Sequence, residues 1–84
     1  MNFGLVLEAL KKGQKVTRKN WNAKGLWIEL QIPDAHSKMT RPYIFLVCPK
    51  GSTKQFGSDS KEFERIPWIP GQTDIFDEDW EIVK

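Results

Sequence analysis

The feature that most constrains the fold is a nearly continuous apolar run, Tyr43–Cys48, which lies between Pro42 and Pro49. A short run bounded in this way is typical of a β-strand that is buried on both faces of a sheet. The segment Leu26–Ile32 predicts a second strand, because its apolar and polar residues alternate. One face would carry Leu26, Ile28, Leu30 and Ile32, and the other Trp27, Glu29 and Gln31. The sequence therefore predicts a small antiparallel sheet.

The N-terminal segment has the pattern of an amphipathic helix. Asn2 is a favourable N-cap residue, and Gly13 is placed to leave the helix in the left-handed conformation. Between them, four apolar residues share one helical stripe: Phe3, Val6, Leu7 and Leu10. We expect a helix over about residues 2–12 that docks on the sheet by this stripe.

The rest of the chain adds shorter elements. Lys15–Arg18 and Trp80–Val83 are also predicted to be strands. Residues 49–71 are irregular, and Ile66–Gly71 cannot be a central strand because its prolines have no N–H to donate to a neighbouring strand. Thr73 is a candidate cap for one short helical turn. The predicted fold class is α+β: an N-terminal helix packed on a small antiparallel β-sheet, with a long irregular connection before the C-terminal strand.

Size and composition limit the class of protein. At 84 residues the chain is expected to form one domain, residues 1–84, and such a domain buries only about 60% of its unfolded surface. No apolar run approaches the roughly 20 residues of a membrane-spanning helix. The first three residues lack the basic start of a signal peptide, and the single cysteine, Cys48, cannot form an internal disulfide. We therefore expect a soluble protein of the cytoplasm.

Charge is distributed unevenly along the chain. Residues 1–42 carry eight Lys and Arg against three Asp and Glu, whereas residues 43–84 carry five against eight. The basic stretch Lys11–Lys24 could meet phosphates, and the acidic segment Asp74–Glu81 could meet the basic stretch of a neighbouring subunit. The alternative is an ordinarily solvated surface. A net charge of +2 is too small to indicate a DNA-binding protein.

The sequence offers little from which to build a catalytic site. His36 is the single histidine, and its position between Asp34 and Ser37 in a polar loop does not give the geometry of a catalytic triad. Cys48 ends a buried strand and is expected to be a small structural hydrophobe. The acidic segment lacks the glycine and distal glutamate of a calcium loop, so we expect no metal at its aspartates, Asp74, Asp77 and Asp79. We expect a protein that is not an enzyme and that needs no cofactor.

Aromatic residues are abundant, and two of the four tryptophans lie in segments too polar or too rich in proline for an ordinary core. Trp21 lies between two asparagines, shortly after Arg18, and Trp68 lies in a proline-rich loop. An indole beside an amide and a guanidinium can stack on a purine, bind its edge and hold its phosphate. The alternative is that both rings close the open ends of a small sheet. Trp27 is expected to meet the helix or a second subunit, and Trp80 to lie in the core.

Motifs spread over nearly the whole chain carry a family resemblance. They are Asn2-Phe3-Gly4, Leu7–Leu10, Gly13, Val16, Arg18, Trp21-Asn22, Gly25, Trp27–Gln31, Met39-Thr40, Pro42–Ile44, Pro67-Trp68, Gln72–Asp74 and Glu78–Val83. In this order and combination they resemble the phage-associated Thoeris anti-defence two-like family. The segment Cys48–Ile66 departs from that pattern, because it is longer than the simple hairpin expected there.

The resemblance implies a nucleotide sponge of phage or prophage origin that works in the host bacterial cytoplasm. Family members bind and sequester an immune signal of the glyco-cyclic ADP-ribose type without cleaving it, and some relatives also bind cyclic dinucleotides. They do so as homotetramers with ligand pockets between subunits. A different class of function stays open from the residues alone: an interaction module that binds single-stranded nucleic acid or a host protein, with nucleic acid the less favoured partner.

The candidate ligand-binding residues combine suitable chemistry with membership in the family-like motifs. Trp21 or Trp68 would stack on the base of the ligand, and Arg18 would face its pyrophosphate. Asn22 and Gln72 would bind the base edge or the ribose. Asp74 would accept ribose hydroxyls, or else it caps the short turn near Thr73. No catalytic residue is expected.

Overall fold

The computed structural model describes residues 1–21, 25–49 and 63–83. Over these residues the chain forms α1 (Phe3–Lys11), β1 (Lys15–Arg18), β2 (Trp27–Gln31), β3 (Tyr43–Pro49), β4 (Phe63–Pro67), α2 (Gln72–Phe76) and β5 (Trp80–Val83). The strands form an antiparallel sheet in the order β4-β3-β2-β1-β5. The predicted α+β class, with an N-terminal helix on an antiparallel sheet, is confirmed. No helix in these ranges has the length and apolar content that a membrane span requires.

Helix α1 begins and ends at the predicted signals. The Asn2 side-chain oxygen accepts the backbone N–H of Leu5 at 2.9 Å, which satisfies one of the unpaired donors of the first turn. After the helix, Gly13 has a φ of +83°, a conformation that glycine adopts without steric cost. The chain can therefore reverse sharply and enter β1 two residues later.

The face that α1 buries is rotated from the predicted one. Val6, Ala9 and Leu10 are buried, whereas Leu7 is 40% exposed. Ala9 has a side chain small enough to let the helix backbone lie close to the sheet, so the contact centres on that residue. The inclusion of Leu7 in the buried stripe was wrong.

The core lies between α1 and one face of the sheet, which we call the helix side. Val16 of β1 and Ile28 of β2 are fully buried there, and Trp80 of β5 is 2% exposed. Leu30 and Leu46 pack against the margin of this core. The prediction that Trp80 belongs to the core is confirmed.

Trp27 lies on the opposite, open face of the sheet. Its ring centre is 5.1 Å from that of Phe63, its indole N–H donates to Glu29 at 2.7 Å, and the Lys15 ammonium lies 4.9 Å from the ring. Side chains alternate along a strand, so the neighbour of buried Ile28 points away from α1. The expected contact of Trp27 with the helix was wrong, and a contact with a second subunit stays a prediction.

Strand β3 is enclosed on both faces at its C-terminal end. The adjacent residues Val47 and Cys48 point to opposite faces and are 0% and 2% exposed. Tyr43, at the other end of the strand, is 37% exposed. The predicted burial on both faces therefore holds for half of the strand, and the other half borders an open surface.

Strand β4 lies within the segment that the sequence predicted to be irregular. It pairs with β3 through Leu46 and Ile66 and is an edge of the described sheet. Pro67, whose missing N–H excludes a central strand, occupies the last pair opposite Phe45, where an edge tolerates it. Residues 50–62 of the predicted connection lie outside the described residues.

Replacement of Ile28 by alanine tests the position of the core. Ile28 is fully buried, so we expect Ile28→Ala to lower the free energy of unfolding by about 2–5 kcal/mol through lost burial and a residual cavity. The control is Ile32→Ala, because Ile32 lies just beyond the same strand and is 60% exposed. Its effect should stay within about 0.5 kcal/mol. Urea unfolding at pH 7 measures both, and equal losses would contradict this core.

Candidate functional site

Three tryptophans meet at one end of the helix side, and we call them the tryptophan cluster: Trp21, Trp68 and Trp80. The ring centres of Trp21 and Trp68 lie 6.1 Å apart, and each packs on Trp80 at 5.5 and 6.1 Å respectively, all edge to face. Trp80 is buried, whereas Trp21 and Trp68 are half-buried and pack against the core. The structure therefore brings together the two tryptophans that the sequence singled out.

Local backbone bonds place these two rings. The N–H of Trp21 donates to the Arg18 carbonyl at 3.4 Å, which closes the turn after β1. The N–H of Trp68 donates to the Ile44 carbonyl at 3.0 Å, so the residue after β4 still follows the sheet. Much of each ring contacts protein, and this packing agrees with the alternative in which both rings close the end of the sheet.

Arg18 is held by three carboxylates beside the tryptophan cluster. Its Nε donates to Asp79 at 2.8 Å, and its two terminal nitrogens donate to Asp74 and Asp77 at 2.7 Å each. The Arg18 side chain is 6% exposed. We call this group the aspartate clamp. It means that the acidic C-terminal segment meets a cation of its own chain.

The strand register explains why Arg18 is buried. In β1, Arg18 lies on the same face as Val16, directly opposite Trp80 of β5. Its guanidinium carbon lies 5.8 Å from the centre of the Trp80 ring, which covers the cation with a π surface. A charge enclosed in this way needs fixed partners, because an unpaired buried guanidinium would be strongly destabilising.

The clamp shifts the pKa values of two of its members, Arg18 and Asp79. Burial of Arg18 opposes its charge, but the hydrogen bonds that Arg18 donates to the three aspartates outweigh burial and raise the pKa of Arg18 above its ordinary value. Burial of Asp79 favours its neutral form, but hydrogen bonds from Arg18 and from the Asn20 backbone N–H, together with the Arg18 charge, lower the pKa of Asp79. Arg18 and Asp79 are therefore both charged at neutral pH.

Asp74 has a second structural contact besides Arg18. Its other oxygen accepts the N–H of Gly71 at 2.7 Å and so ties the start of α2, and its backbone carbonyl accepts the Trp80 indole N–H at 2.8 Å. The cap residue of α2 is Gly71, so the prediction of Thr73 as the cap was wrong. The capping alternative for Asp74 describes the contacts that the structure shows.

The other candidate ligand residues are placed as follows. Gln72 is the exposed first residue of α2. Asn22 lies outside the described residues. Arg18, Trp21, Trp68 and Asp74 lie together at the end described above, and their contacts with a ligand stay predictions. The clamp weighs against direct phosphate binding by Arg18, because every guanidinium nitrogen already donates to a carboxylate.

The only histidine of the sequence lies in a local turn. The His36 backbone N–H and the Ser37 hydroxyl both donate to the Asp34 carboxylate, at 2.8 and 3.2 Å. These bonds close the turn through the backbone of His36, not through its ring. Within residues 1–21, 25–49 and 63–83, no group of His, Cys, Asp or Glu side chains is arranged to hold a metal ion.

A groove on the open face of the sheet has a different lining from that of the tryptophan cluster. One hollow, of about 100 Å³, is lined by Gln31, Tyr43, Phe45, Arg65, Ile66 and Pro67. An adjoining hollow of about 400 Å³ is lined by Met39, Thr40, Arg41, Pro42, Tyr43 and Pro67. The two share Tyr43 and Pro67, and together we call them the arginine groove. Sequence reasoning missed it because its residues come from three separate segments, although Met39-Thr40 and Pro42-Tyr43 were already among the family-like motifs.

Comparison with known proteins gives a consistent result. The sequence model of the Thoeris anti-defense 2-like domain family matches residues 1–83. A relative named Thoeris anti-defense 2, from Bacillus phage SP01, is 33% identical over 87 residues. That alignment covers 99% of this chain and 94% of the relative, so the two proteins are similar over nearly their full lengths.

Replacement of Arg18 tests the clamp. Arg18→Gln leaves carboxylates together without their cation, so we expect a loss of about 3 kcal/mol in the free energy of unfolding at pH 7. The control is Lys19→Gln, which removes the same charge from an exposed neighbour and should cost less than about 0.5 kcal/mol. Urea unfolding with circular dichroism measures both variants. Similar losses in the two would show that the clamp contributes no specific stability.

The clamp also predicts a dependence on pH. The folded-state pKa of Asp79 lies below its ordinary value of 3.8. Its contribution to stability is therefore complete above that pH and is lost as the pH falls through the lower folded value. Between about pH 4 and pH 2 the parent should lose stability more steeply than Arg18→Gln, which has no clamp to lose. If the free energies of unfolding of the parent and of Arg18→Gln fall by the same amount over this pH range, the assignment to the clamp is wrong.

Proposed function

Because this chain belongs to the Thoeris anti-defense 2-like family, we propose that it protects a phage or prophage by sequestering a Thoeris immune signal. The ligand would be a nucleotide of the cyclic ADP-ribose type, which the protein binds in the host cytoplasm and holds without cleaving it. The observation that supports this proposal is the near full-length match to the family and to a phage protein whose name states a role against Thoeris defence.

The chemistry of the fold supports binding without catalysis. Sequestration needs a surface that holds a ring, a ribose and phosphates, and it needs no nucleophile or general base. In the described residues, the carboxylates nearest the tryptophan cluster are bound to Arg18, and the Asp34 carboxylate closes a turn. These contacts leave those acids poorly placed for proton transfer.

The exposed apolar surface supports self-association, and we propose a homotetramer. Ile69 is 87% exposed and Phe76 is 74% exposed, both next to elements of the helix side. A domain of this size gains stability by covering such surface with further copies of itself. Pockets between subunits would also enclose more of a ligand than one small domain can.

Within this proposal, the base of the ligand stacks on a half-buried tryptophan. Trp21 and Trp68 each keep part of the ring exposed, and Gln72 lies in the exposed first turn of α2. Gln72 and Asn22 would bind the base edge or the ribose, and Asp74 would accept ribose hydroxyls with the lone pairs that Arg18 and Gly71 leave free.

Binding and release of the intact ligand test the function. The purified protein is incubated with an extract of cells whose Thoeris system has been activated, then washed and denatured. We expect mass spectrometry of the released fraction to show an unaltered cyclic ADP-ribose-type nucleotide, and light scattering to show four copies of the 9.8 kDa chain. Release of a cleaved product would indicate an enzyme. If the protein binds the nucleotide as a monomer, the proposed homotetramer is wrong and the proposed sequestration still holds.

Removal of one indole tests the stacking contact. Base–aromatic stacking is worth about 1–3 kcal/mol, so Trp68→Ala should weaken binding roughly 5- to 150-fold if Trp68 stacks on the base. Trp68→Phe keeps a ring and should lose less. Leu5→Ala, which truncates an exposed apolar side chain of α1, is the control and should bind as the parent does. Trp21→Ala and Trp21→Phe are measured in the same way.

Calorimetry gives the affinities, and melting temperature separates lost binding from lost folding. Folded alanine variants of both tryptophans that bind like the parent would exclude the stacking contact. Unfolding of both alanine variants, with full binding by both phenylalanine variants, would assign the rings to structural closure of the sheet.

A further inference from the structure

The α-ammonium group of Met1 binds two backbone carbonyls near the other end of the chain. It donates to the carbonyl of Glu78 at 3.0 Å and to the carbonyl of Trp80 at 2.8 Å. The Met1 side chain is half-buried and packs against the core. One residue therefore supplies both an apolar contact and a cation to the fold.

The register of the sheet explains why the Trp80 carbonyl needs a donor from outside the sheet. The Lys19 N–H donates to the Asp79 carbonyl at 3.2 Å, so these two residues form a hydrogen-bonded pair that extends the β1–β5 ladder. Bonded and unbonded pairs alternate in an antiparallel ladder, so the next pair, Arg18 and Trp80, is unbonded. The Trp80 carbonyl therefore points away from β1, to a side where the described sheet has no further strand. The Met1 ammonium takes the place of a strand partner there.

The two bonds require an amine that carries no acyl group. An ammonium has three N–H donors, whereas a formylated or acetylated amine is a neutral amide with a single N–H. One N–H cannot direct a short, straight bond at each of two carbonyls. Trp80 is 2% exposed, so loss of the donor at its carbonyl would be costly. An acyl group would also remove a positive charge from beside the acidic segment Asp74–Glu81.

We propose that the unmodified α-ammonium of Met1 is a structural group of this fold, and that hydrolysis of an N-formyl group from Met1 is a required step in its maturation. Bacterial ribosomes start chains with formylmethionine, and for the bacterial host this inference rests on the proposed function. In the hydrolysis, water adds to the formyl carbon, the bond from that carbon to nitrogen breaks, formate leaves, and the freed amine takes up the proton. A deformylating hydrolase of the host acts before the two bonds form, because the folded chain holds Met1 half-buried.

Chemical synthesis tests the amine with chains that differ only at the Met1 nitrogen. Residues 1–47 and 48–84 are joined by ligation at Cys48. In the N-formyl and N-acetyl chains the charge and two donors are lost, so we expect the equilibrium constant for unfolding at pH 6 to rise about 10-fold. The melting temperature should fall by about 5–10 °C. Urea and thermal unfolding measure these two quantities.

The matched control is the chain that is N-methylated at Met1. It adds one carbon to the nitrogen, as the formyl group does, but it keeps the charge and two N–H donors. We expect it to unfold like the parent. A recombinant chain with one glycine ahead of Met1 keeps the ammonium but moves it away from both carbonyls, and it should be destabilised as the N-formyl chain is.

The outcomes separate this proposal from the proposed function. If the N-formyl and N-acetyl chains unfold like the N-methyl chain, or if the added glycine has no effect, the ammonium has no structural role and the proposal is overturned. Intact mass spectrometry of the protein from infected host cells should show Met1 with a free amine. A retained formyl group, or residues ahead of Met1, would also overturn it. If the parent is stabilised by its free amine but binds no nucleotide from activated Thoeris extract, this proposal stands and the proposed function fails.

Discussion

The burial of Arg18 is the interaction on which the C-terminal third of the fold depends. Helix α2 is five residues long and has no buried residue in the described structure, so neither its length nor its packing can stabilise it. Its position is fixed by Asp74, which links Arg18, Gly71 and, through its carbonyl, the Trp80 indole. Asp79 then joins the same guanidinium just before β5 begins. One cation on β1 thus positions a helix, a turn and an edge strand.

The N-terminus reinforces the same corner. The Met1 ammonium donates to the carbonyls of Glu78 and Trp80 at 3.0 and 2.8 Å, so the first residue is tied to the strand entry that the clamp defines. Two positive groups from the start of the chain therefore bind the acidic end of the chain. Part of the acidic C-terminal segment is therefore neutralised within its own chain.

Elements with local signals were predicted well, and contacts between distant residues were not. Asn2 and Gly13 mark the ends of α1 by their own conformational preferences, and alternation around Ile28 fixes which face of β2 is buried. The partners of Arg18 lie 56 to 61 residues away in sequence, and no local pattern says which aspartates will reach it. The sequence therefore predicted a ligand contact for Arg18 and none of these ion pairs, because the residues next to an arginine do not show whether its partner is a phosphate or a carboxylate.

The two faces of the sheet differ in what they can still bind. On the helix side, Trp80 is buried and each guanidinium nitrogen of Arg18 donates to a carboxylate. On the open face, alternation forces large and cationic side chains outward, and the described helices do not cover them. Tyr43 and Arg65 lie on this face because side chains alternate along a strand: the neighbour Ile44 packs against the core, and the neighbour Ile66 pairs with Leu46, which also packs there. The residues that complete the core thus determine which side chains remain available to a ligand, and those lie in the arginine groove.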